Sequence, residues 1–246
     1  MYLLPRFYEL NVRVNFEENL NVIMDKILIF KELGYYGIGL KVPSNKNKIF
    51  NDLKNSVEDK KFKIYSRLDL KGKSVAGLKK SLKNFRLKYD LIGIDPQNLD
   101  VCHWAIRDSR PDIIILNEDK TKEFRYTTSK LLSAHEKCVE ISLKSLIFMH
   151  FKRKSKLLRH LSNKLKFILK SKAFFLITMS PTAGEIYEMR APRDLMSLLY
   201  LLNVPEDIAM KSMSYYAEYI VQKALNKKDP NIVSENIRII PKNKSE

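Results

Sequence analysis

The residues that could carry acid–base or metal chemistry are few and scattered. Four histidines occur, and none lies in an HxH or HExxH motif or beside a cysteine at metal-ligand spacing. His150 and His160 lie in a strongly basic segment, where neighbouring cations disfavour metal capture. His103 and His135 lie on predicted helices and are predicted to be half-buried polar residues. The histidines therefore predict no metal site.

Barrel enzymes place catalytic groups near the ends of their strands. Four carboxylates are spread over four predicted strands: Glu9, Asp69, Asp95 and Glu140. These groups could converge at one mouth of a barrel, but no histidine accompanies them at a strand end. The neighbouring cation is Arg67, two residues before Asp69. This spacing favours an internal ion pair over an acid–base set.

Positive charge is concentrated in two segments of a chain whose formal net charge is +17. Residues 141–184 contain ten Lys and Arg and no acid, and residues 60–88 contain eleven basic residues and one acid. The remainder holds 24 basic and 27 acidic residues. Charge concentrated in this way predicts a surface that binds a polyanion, and the alternative is two solvated lysine-rich helices.

Twelve basic residues are predicted to contact nucleic acid. The first group lies in a predicted loop, MHFKRKSK, and in the helix that follows: Lys152, Arg153, Lys154, Lys156 and Arg159. The second group follows the third predicted strand and continues on the outer face of a helix: Lys73, Lys79, Lys80, Lys83 and Arg86. Flexible Lys and Arg side chains recognise a phosphate backbone without reading its sequence.

The last two candidates, Arg190 and Arg193, follow the seventh predicted strand, where barrels often bind phosphate. A second interpretation of Arg190 stays open, in which it braces the helix that begins at Pro192.

Seven short apolar or alternating runs predict the β-strands that must position these residues. They cover residues 7–12, 36–42, 62–70, 90–95, 112–116, 138–142 and 174–179. Helical periodicity between them, as at residues 19–33 and 74–88, favours parallel strands with crossover helices. The predicted fold class is α/β: a distorted TIM-like (β/α) barrel of about seven strands with extra C-terminal helices.

The chain contains no Gly/Ser/Pro linker that would divide it. Residues 1–228 are predicted to form a single barrel domain, and residues 229–246 a polar, frayed tail. The first residues lack the regions of a secretory signal, and no apolar run is long enough to cross a bilayer. Cys102 and Cys138 are predicted to be free buried thiols. A soluble cytoplasmic protein is expected, and membrane-surface binding through residues 157–170 is the weaker alternative.

Several short motifs follow one another along nearly the whole chain. They are ELNV, LGYYGIGL, RLDL, DLIGID, RPDIIIL, CVEIS, FFLITMSPTA, EMRAPRDLMSLLYLLNVP and DPNIVSEN. Their order and spacing resemble the archaeal and eukaryal ribonuclease P protein component 3 family. This resemblance implies a distorted (β/α) barrel similar to metal-dependent phosphoesterases of the PHP type. Those enzymes carry DxHxH on the first strand, whereas Asn11 and Arg13 occupy the histidine positions here, so metal hydrolysis is not supported.

The resemblance implies a protein subunit of ribonuclease P, in which RNA catalyses removal of the 5′ leader from precursor tRNA. The RNA subunit is then expected to hold Mg²⁺, so no cofactor is expected on this chain, and the isolated chain is expected to be non-catalytic. The expected partners are the ribonuclease P RNA, a second small protein subunit and precursor tRNA. Two alternatives stay open: a PHP-type metal-dependent phosphoesterase, and a sugar-phosphate barrel enzyme with a basic surface.

Overall fold

Seven parallel strands alternate with helices in a computed structural model of the chain, which describes residues 5–57, 61–116, 124–234 and 237–238. The strands are β1 (Phe7–Val12), β2 (Tyr35–Lys41), β3 (Lys63–Gly72), β4 (Leu91–Pro96), β5 (Ile113–Ile115), β6 (Cys138–Ser142) and β7 (Phe174–Thr178). Each strand pairs in parallel with the next along the chain, in the order β1 to β7. They form a nearly closed barrel, which confirms the predicted fold class.

Helices cover the outside of the barrel. They are α1 (Leu20–Glu32), α2 (Asn47–Ser56), α3 (Val75–Phe85), α4 (Leu99–Arg107), α5 (Tyr126–Ala134), α6 (Lys144–Phe148), α7 (Phe151–Ser171), α8 (Pro192–Leu201), α9 (Glu206–Met213) and α10 (Tyr215–Asn226). Side-chain caps stabilise the first turns of α1 and α3. The Asn19 side chain accepts from the Asn21 N–H at the start of α1, and Ser74 does the same for Gly77 at the start of α3.

The two end strands meet just beyond their own carboxyl ends. There Arg13 and Thr182 form a parallel bridge. The Arg13 N–H donates to the Pro181 carbonyl at 2.9 Å, and the Ala183 N–H donates to the Arg13 carbonyl at 2.7 Å. These bonds hold the segment after β7 against the end of β1 and so shape the carboxyl mouth of the barrel.

The amino ends of the strands are covered by α10. Its Ala217, Ile220, Val221 and Ala224 pack with inward-facing residues of the strands, namely Tyr8, Leu10, Leu91, Ile113, Cys138 and Leu176. The opposite faces of the strands pack against the surrounding helices in a second, larger apolar cluster. Both faces are therefore covered, as the consecutive apolar residues of the strands predict.

The structure describes part of the C-terminal segment, residues 229–246, which is predicted to be a polar tail. Within the described residues, β8 (Ile232–Ser234) pairs antiparallel with β9 (Ile237–Arg238). Ile232 on β8 and Ile237 on β9 are residue types that favour β-strands. Cys102 and Cys138 are both free and buried, as predicted. Across the described ranges, no helix has the length and apolar character needed to span a membrane.

Candidate nucleic-acid interface

The polar interior of the barrel is organised around Arg67, whose side chain is 0% exposed. Its Nε donates to Asp69 Oδ1 at 2.7 Å, and its Nη1 donates to the Leu10 carbonyl at 2.7 Å and to Glu140. Gly93 on β4 makes room for the cluster, since a Cβ there would collide with Asp69. The predicted internal ion pair of Arg67 and Asp69 is confirmed.

Asn11 and Glu9 extend this network along β1. The Asn11 side-chain amide donates to Glu140, and Glu9 accepts from the backbone N–H groups of Asn11 at 3.2 Å and Met179 at 2.9 Å. Burial raises the pKa of Glu9 to about 8, although the Met179 N–H opposes that shift. Asp95 lies opposite Lys71 in the pairing of β3 with β4. The structure thus gathers Glu140, Asp69 and Glu9 around Arg67 and Asn11.

This interior does not fit a metal ion. Asp69 and Glu140 are engaged by the Arg67 guanidinium, and Lys41 Nζ lies 2.8 Å from Asp69 Oδ2. Burial by itself would raise the pKa of Asp69, but Arg67 and Lys41 lower it below its ordinary value. Within the described part of the chain, no group of three His, Cys, Asp or Glu is placed to hold a metal. The carboxylates of Asp69 and Glu140 therefore serve an internal cation.

The first basic surface is the amino-terminal part of α7. Leu157, Leu161, Leu165 and Ile168 form its buried stripe together with Lys164, whereas the other basic residues of the helix lie off that stripe. Four of the predicted residues are exposed and Lys154 is partly exposed. We call the five the α7 surface: Lys152, Arg153, Lys154, Lys156 and Arg159.

The prediction of a loop over MHFKRKSK is wrong from Phe151 onward, where α7 begins. Lys, Arg and Leu are strong helix formers, and neither Gly nor Pro interrupts residues 149–171. The basic side chains therefore lie along a helix, and its geometry sets the distances between them. At a rise of about 1.5 Å per residue, Lys152 and Arg159 are separated by about 10 Å along the axis.

The second basic surface follows β3. Lys73 is exposed in the connection after the strand, and α3 buries Leu78 and Leu82 while its lysines face outward. We call the four exposed residues the α3 surface: Lys73, Lys79, Lys80 and Lys83. Since α4 and α5 intervene between α3 and α7 along the chain, the barrel carries two basic surfaces at different positions around its circumference.

Arg86 does not belong to the α3 surface, which corrects the prediction that it faces outward. Its side chain is buried and pairs with Asp112. Its Nη2 also donates to the Asp90 carbonyl at 3.0 Å. The reason is that Arg86 keeps helical dihedrals at the end of α3 and follows Leu82 by four residues, so it lies on the face that buries Leu78 and Leu82.

Arg190 and Arg193 have different environments. Arg190 Nη1 donates to the carbonyls of Tyr187 at 3.1 Å and Met189 at 2.6 Å, and so braces the segment before Pro192. Arg193 is exposed in the first turn of α8. Of the two interpretations of Arg190, these contacts favour bracing.

Lysines near the end of the chain form a polar group that sequence reasoning missed. Lys227 and Lys228 lie 2.7 Å from Asp112 and Asp90, which immediately precede β5 and β4. Lys137 is buried and donates to the Pro111 carbonyl at 2.5 Å. The sequence signal that could have identified this group is an acid directly before an apolar strand, as Asp90 and Asp112 are. These contacts fix the end of α10 over the amino ends of the strands.

Comparison with known proteins assigns the chain to a family. The model described as RNase P subunit p30 matches residues 6–229. Ribonuclease P protein component 3 of Methanococcoides burtonii is 26% identical over 234 residues, covering 95% of this chain and 93% of the relative.

Two solved structures share the fold. A chain in the cryo-EM structure of archaeal ribonuclease P with mature tRNA has a TM-score of 0.77 at 22% identity, covering 96% of this chain and 100% of that one. The zinc-bound histidinol phosphate phosphatase of Lactococcus lactis has a TM-score of 0.51 at 11% identity, covering 89% of this chain and 94% of that one. Because the family model covers most of the barrel as well as the C-terminal helices, this chain belongs to the RNase P subunit p30 family.

Proposed function

We propose that this chain is a protein subunit of ribonuclease P and supports RNA-catalysed removal of the 5′ leader from precursor tRNA by binding the RNA subunit. The observation that carries the proposal is the α7 surface. It presents basic side chains on a helix within a 44-residue segment that contains no acid, in a chain of the p30 family. The partners are the ribonuclease P RNA, a second small protein subunit and, for the holoenzyme, precursor tRNA.

The α7 and α3 surfaces support folded RNA by neutralising phosphates. Lysine and arginine on exposed helix faces contact phosphate oxygens without reading bases, so their contribution depends on RNA shape and on salt. If about six to ten phosphates are neutralised, affinity falls by about 10³–10⁵ between 50 and 200 mM salt. Arg193 adds a cation after β7, at the carboxyl end of the barrel.

The isolated chain is non-catalytic in this proposal. Arg67 occupies the centre of the polar interior, and its carboxylate partners are already engaged. The phosphodiester chemistry and the Mg²⁺ it requires then belong to the RNA. Free buried thiols fit a reducing compartment, and we place the protein in the cytoplasm.

Reconstitution tests the function. The RNA subunit and the other protein subunits of the same organism are assembled with and without this chain, and 5′ leader removal is measured as Mg²⁺ is lowered. The complete complex is expected to cleave at Mg²⁺ concentrations where the incomplete complex fails. Equal cleavage by both complexes at every Mg²⁺ concentration would contradict the proposal.

The same preparation tests the phosphoesterase alternative. The isolated chain is expected to hydrolyse neither RNA nor p-nitrophenyl phosphate. Hydrolysis by a chain that holds stoichiometric divalent metal would favour the PHP-type enzyme instead.

A further inference from the structure

An exposed apolar cluster lies beside the α7 surface at the carboxyl end of the barrel. Phe148 ends α6 and Phe151 begins α7, and these residues are 58% and 84% exposed. Ile186 and Tyr187, in the short turn after β7, are 74% and 81% exposed. Single exposed apolar residues are common, but a group contributed by two connections at one end marks a binding surface. We call these four residues the mouth cluster.

An ion pair joins the two halves of the mouth cluster. Lys144 Nζ on α6 lies 2.6 Å from Glu188 Oε1, in the turn after β7. Glu188 also accepts a hydrogen bond of 2.6 Å from the Thr182 N–H. Lys144 Nζ in turn lies 5.7 Å from the centroid of the Phe148 ring. The ion pair therefore holds the segment after β6 against the segment after β7.

The charges around the mouth cluster indicate the class of partner. Lys152 and Arg153 directly follow Phe151 and are exposed. In the segment after β7, Glu188 is paired with Lys144 and Glu185 is exposed. The exposed charges beside the mouth cluster are therefore this acid and the two cations Lys152 and Arg153. Protein interfaces are depleted in lysine at their cores. Aromatic rings beside Lys and Arg instead favour unpaired nucleotides, whose bases stack while their phosphates meet the cations.

We propose that the mouth cluster binds unpaired bases of RNA, with Phe151 and Tyr187 as the stacking rings and Lys152 and Arg153 on the adjoining phosphates. This inference rests on the proposed function, because it takes the α7 surface as an RNA-binding face. Every base has a flat π face, so stacking here tolerates different sequences and selects loops or bulges over paired helices.

The test replaces flat rings by apolar side chains that cannot stack. The full-length double variant Phe151→Leu/Tyr187→Leu is compared with wild type and with Phe151→Trp. The ligands are an RNA hairpin with 2-aminopurine in its loop and a fully paired RNA duplex. The leucine variant is expected to bind the hairpin about 5- to 150-fold more weakly for each stacked base lost. It should also lose the fluorescence quenching while binding the duplex as wild type does, and Phe151→Trp should keep both properties.

Tyr215→Leu is the matched control, since Tyr215 is an exposed tyrosine on α10, which covers the opposite end of the barrel. It is expected to bind both RNAs as wild type does. Wild-type affinity and quenching in the leucine variant would overturn the inference, and so would an equal loss in Tyr215→Leu. Unchanged RNA binding with lost binding of the second protein subunit would overturn it in favour of protein docking.

Alanine substitution of the α7 surface separates this inference from the proposed function. If that variant binds RNA more weakly while the leucine variant does not, only base stacking fails. If neither variant changes RNA binding, both the base-stacking inference and the proposed function fail.

Discussion

Arg67 and Glu140 form an ion pair that is sealed inside the barrel, with their side chains 0% and 1% exposed. Asp69 contacts the same guanidinium, and burial alone would lower the pKa of Arg67, but the two acids raise it above its ordinary value. An arginine at the centre of the polar interior joins β3 to β6 across the barrel. The basic residues of the α7 and α3 surfaces lie outside the barrel and take no part in this pair.

Removing the buried cation is expected to destabilise the fold. Arg67→Met leaves Glu140 charged and without its cation, which costs about 3–5 kcal/mol in the free energy of unfolding. Urea denaturation measures the loss. The double variant Arg67→Met/Glu140→Gln should recover part of it, because no unpaired charge then remains at Glu140.

Arg110→Ala is the control for this pair, since Arg110 and Asp108 form a partly exposed ion pair at 2.6 Å. Its loss is expected to be less than about 1 kcal/mol. An Arg67→Met variant as stable as Arg110→Ala would contradict the structural role of Arg67.

The α7 surface is expected to govern RNA affinity and its salt dependence. The test variant replaces four residues with Ala: Lys152, Arg153, Lys154 and Lys156. Removing phosphate contacts weakens binding and lowers the slope of log affinity against log salt by about 0.7–0.9 for each contact. Titration of the ribonuclease P RNA at several salt concentrations measures both quantities.

A charge-matched control separates a local surface from overall charge. It replaces four exposed lysines outside the α7 and α3 surfaces with Ala: Lys31, Lys48, Lys54 and Lys211. Its affinity and salt slope are expected to stay close to wild type. Equal weakening in both variants would show that net charge alone attracts the RNA.

The α3 surface and Arg86 are expected to behave oppositely. Substitution of Lys79, Lys80 and Lys83 with Ala should weaken RNA binding without a change in melting temperature, because these side chains are exposed. Arg86→Ala should cost about 3 kcal/mol or more, because Asp112 loses a buried partner. The folded Arg86→Ala protein should still bind RNA as wild type does. A stable Arg86→Ala variant with weakened RNA binding would reverse this assignment.

Lys137 is expected to make stability depend on pH. Burial, with Lys227 nearby, lowers the pKa of Lys137 to about 7, against about 10.4 in an unfolded chain. Between these values the folded chain binds fewer protons than the unfolded chain, so this residue makes folding more favourable as the pH rises.

The variant Lys137→Met removes this titration. Its stability relative to wild type should be highest at pH 6 and should decline by pH 10, as measured by urea denaturation. Lys211→Met, at an exposed position, should show no such trend. A constant difference between Lys137→Met and wild type across this range would contradict the pKa assignment.

Sequence periodicity predicted the barrel because its strands are short and covered on both faces. β1 and β6 have the predicted bounds, and the other five strands differ by one or two residues at one or both ends. The Arg67–Asp69 pair was predictable because both residues lie on one strand, two positions apart. Their meeting with Glu140 was open from sequence, as one possible convergence of strand carboxylates, since β3 and β6 are distant in sequence and come together only in the closed barrel.

The surface was harder to predict where a helix begins or ends. The basic residues after His150 were assigned to a loop because the start of α7 has no side-chain cap to mark it. The spacing of α3 could have placed Arg86 correctly, because Arg86 follows the buried Leu82 by four residues and lies on the same face. The mouth cluster escaped prediction because Phe151 and Tyr187 lie on separate connections, and their placement at one end depends on the tertiary fold.

Isolation of the tagged chain from its native cell tests the central claim most directly. RNA bound to the purified chain is extracted and sequenced, and its molar ratio to the chain is measured. The account predicts a near-stoichiometric ribonuclease P RNA, together with a smaller protein, and much less of that RNA with the four-residue α7 variant. A chain that carries no structured RNA, or an α7 variant that retains it in full, would contradict the account.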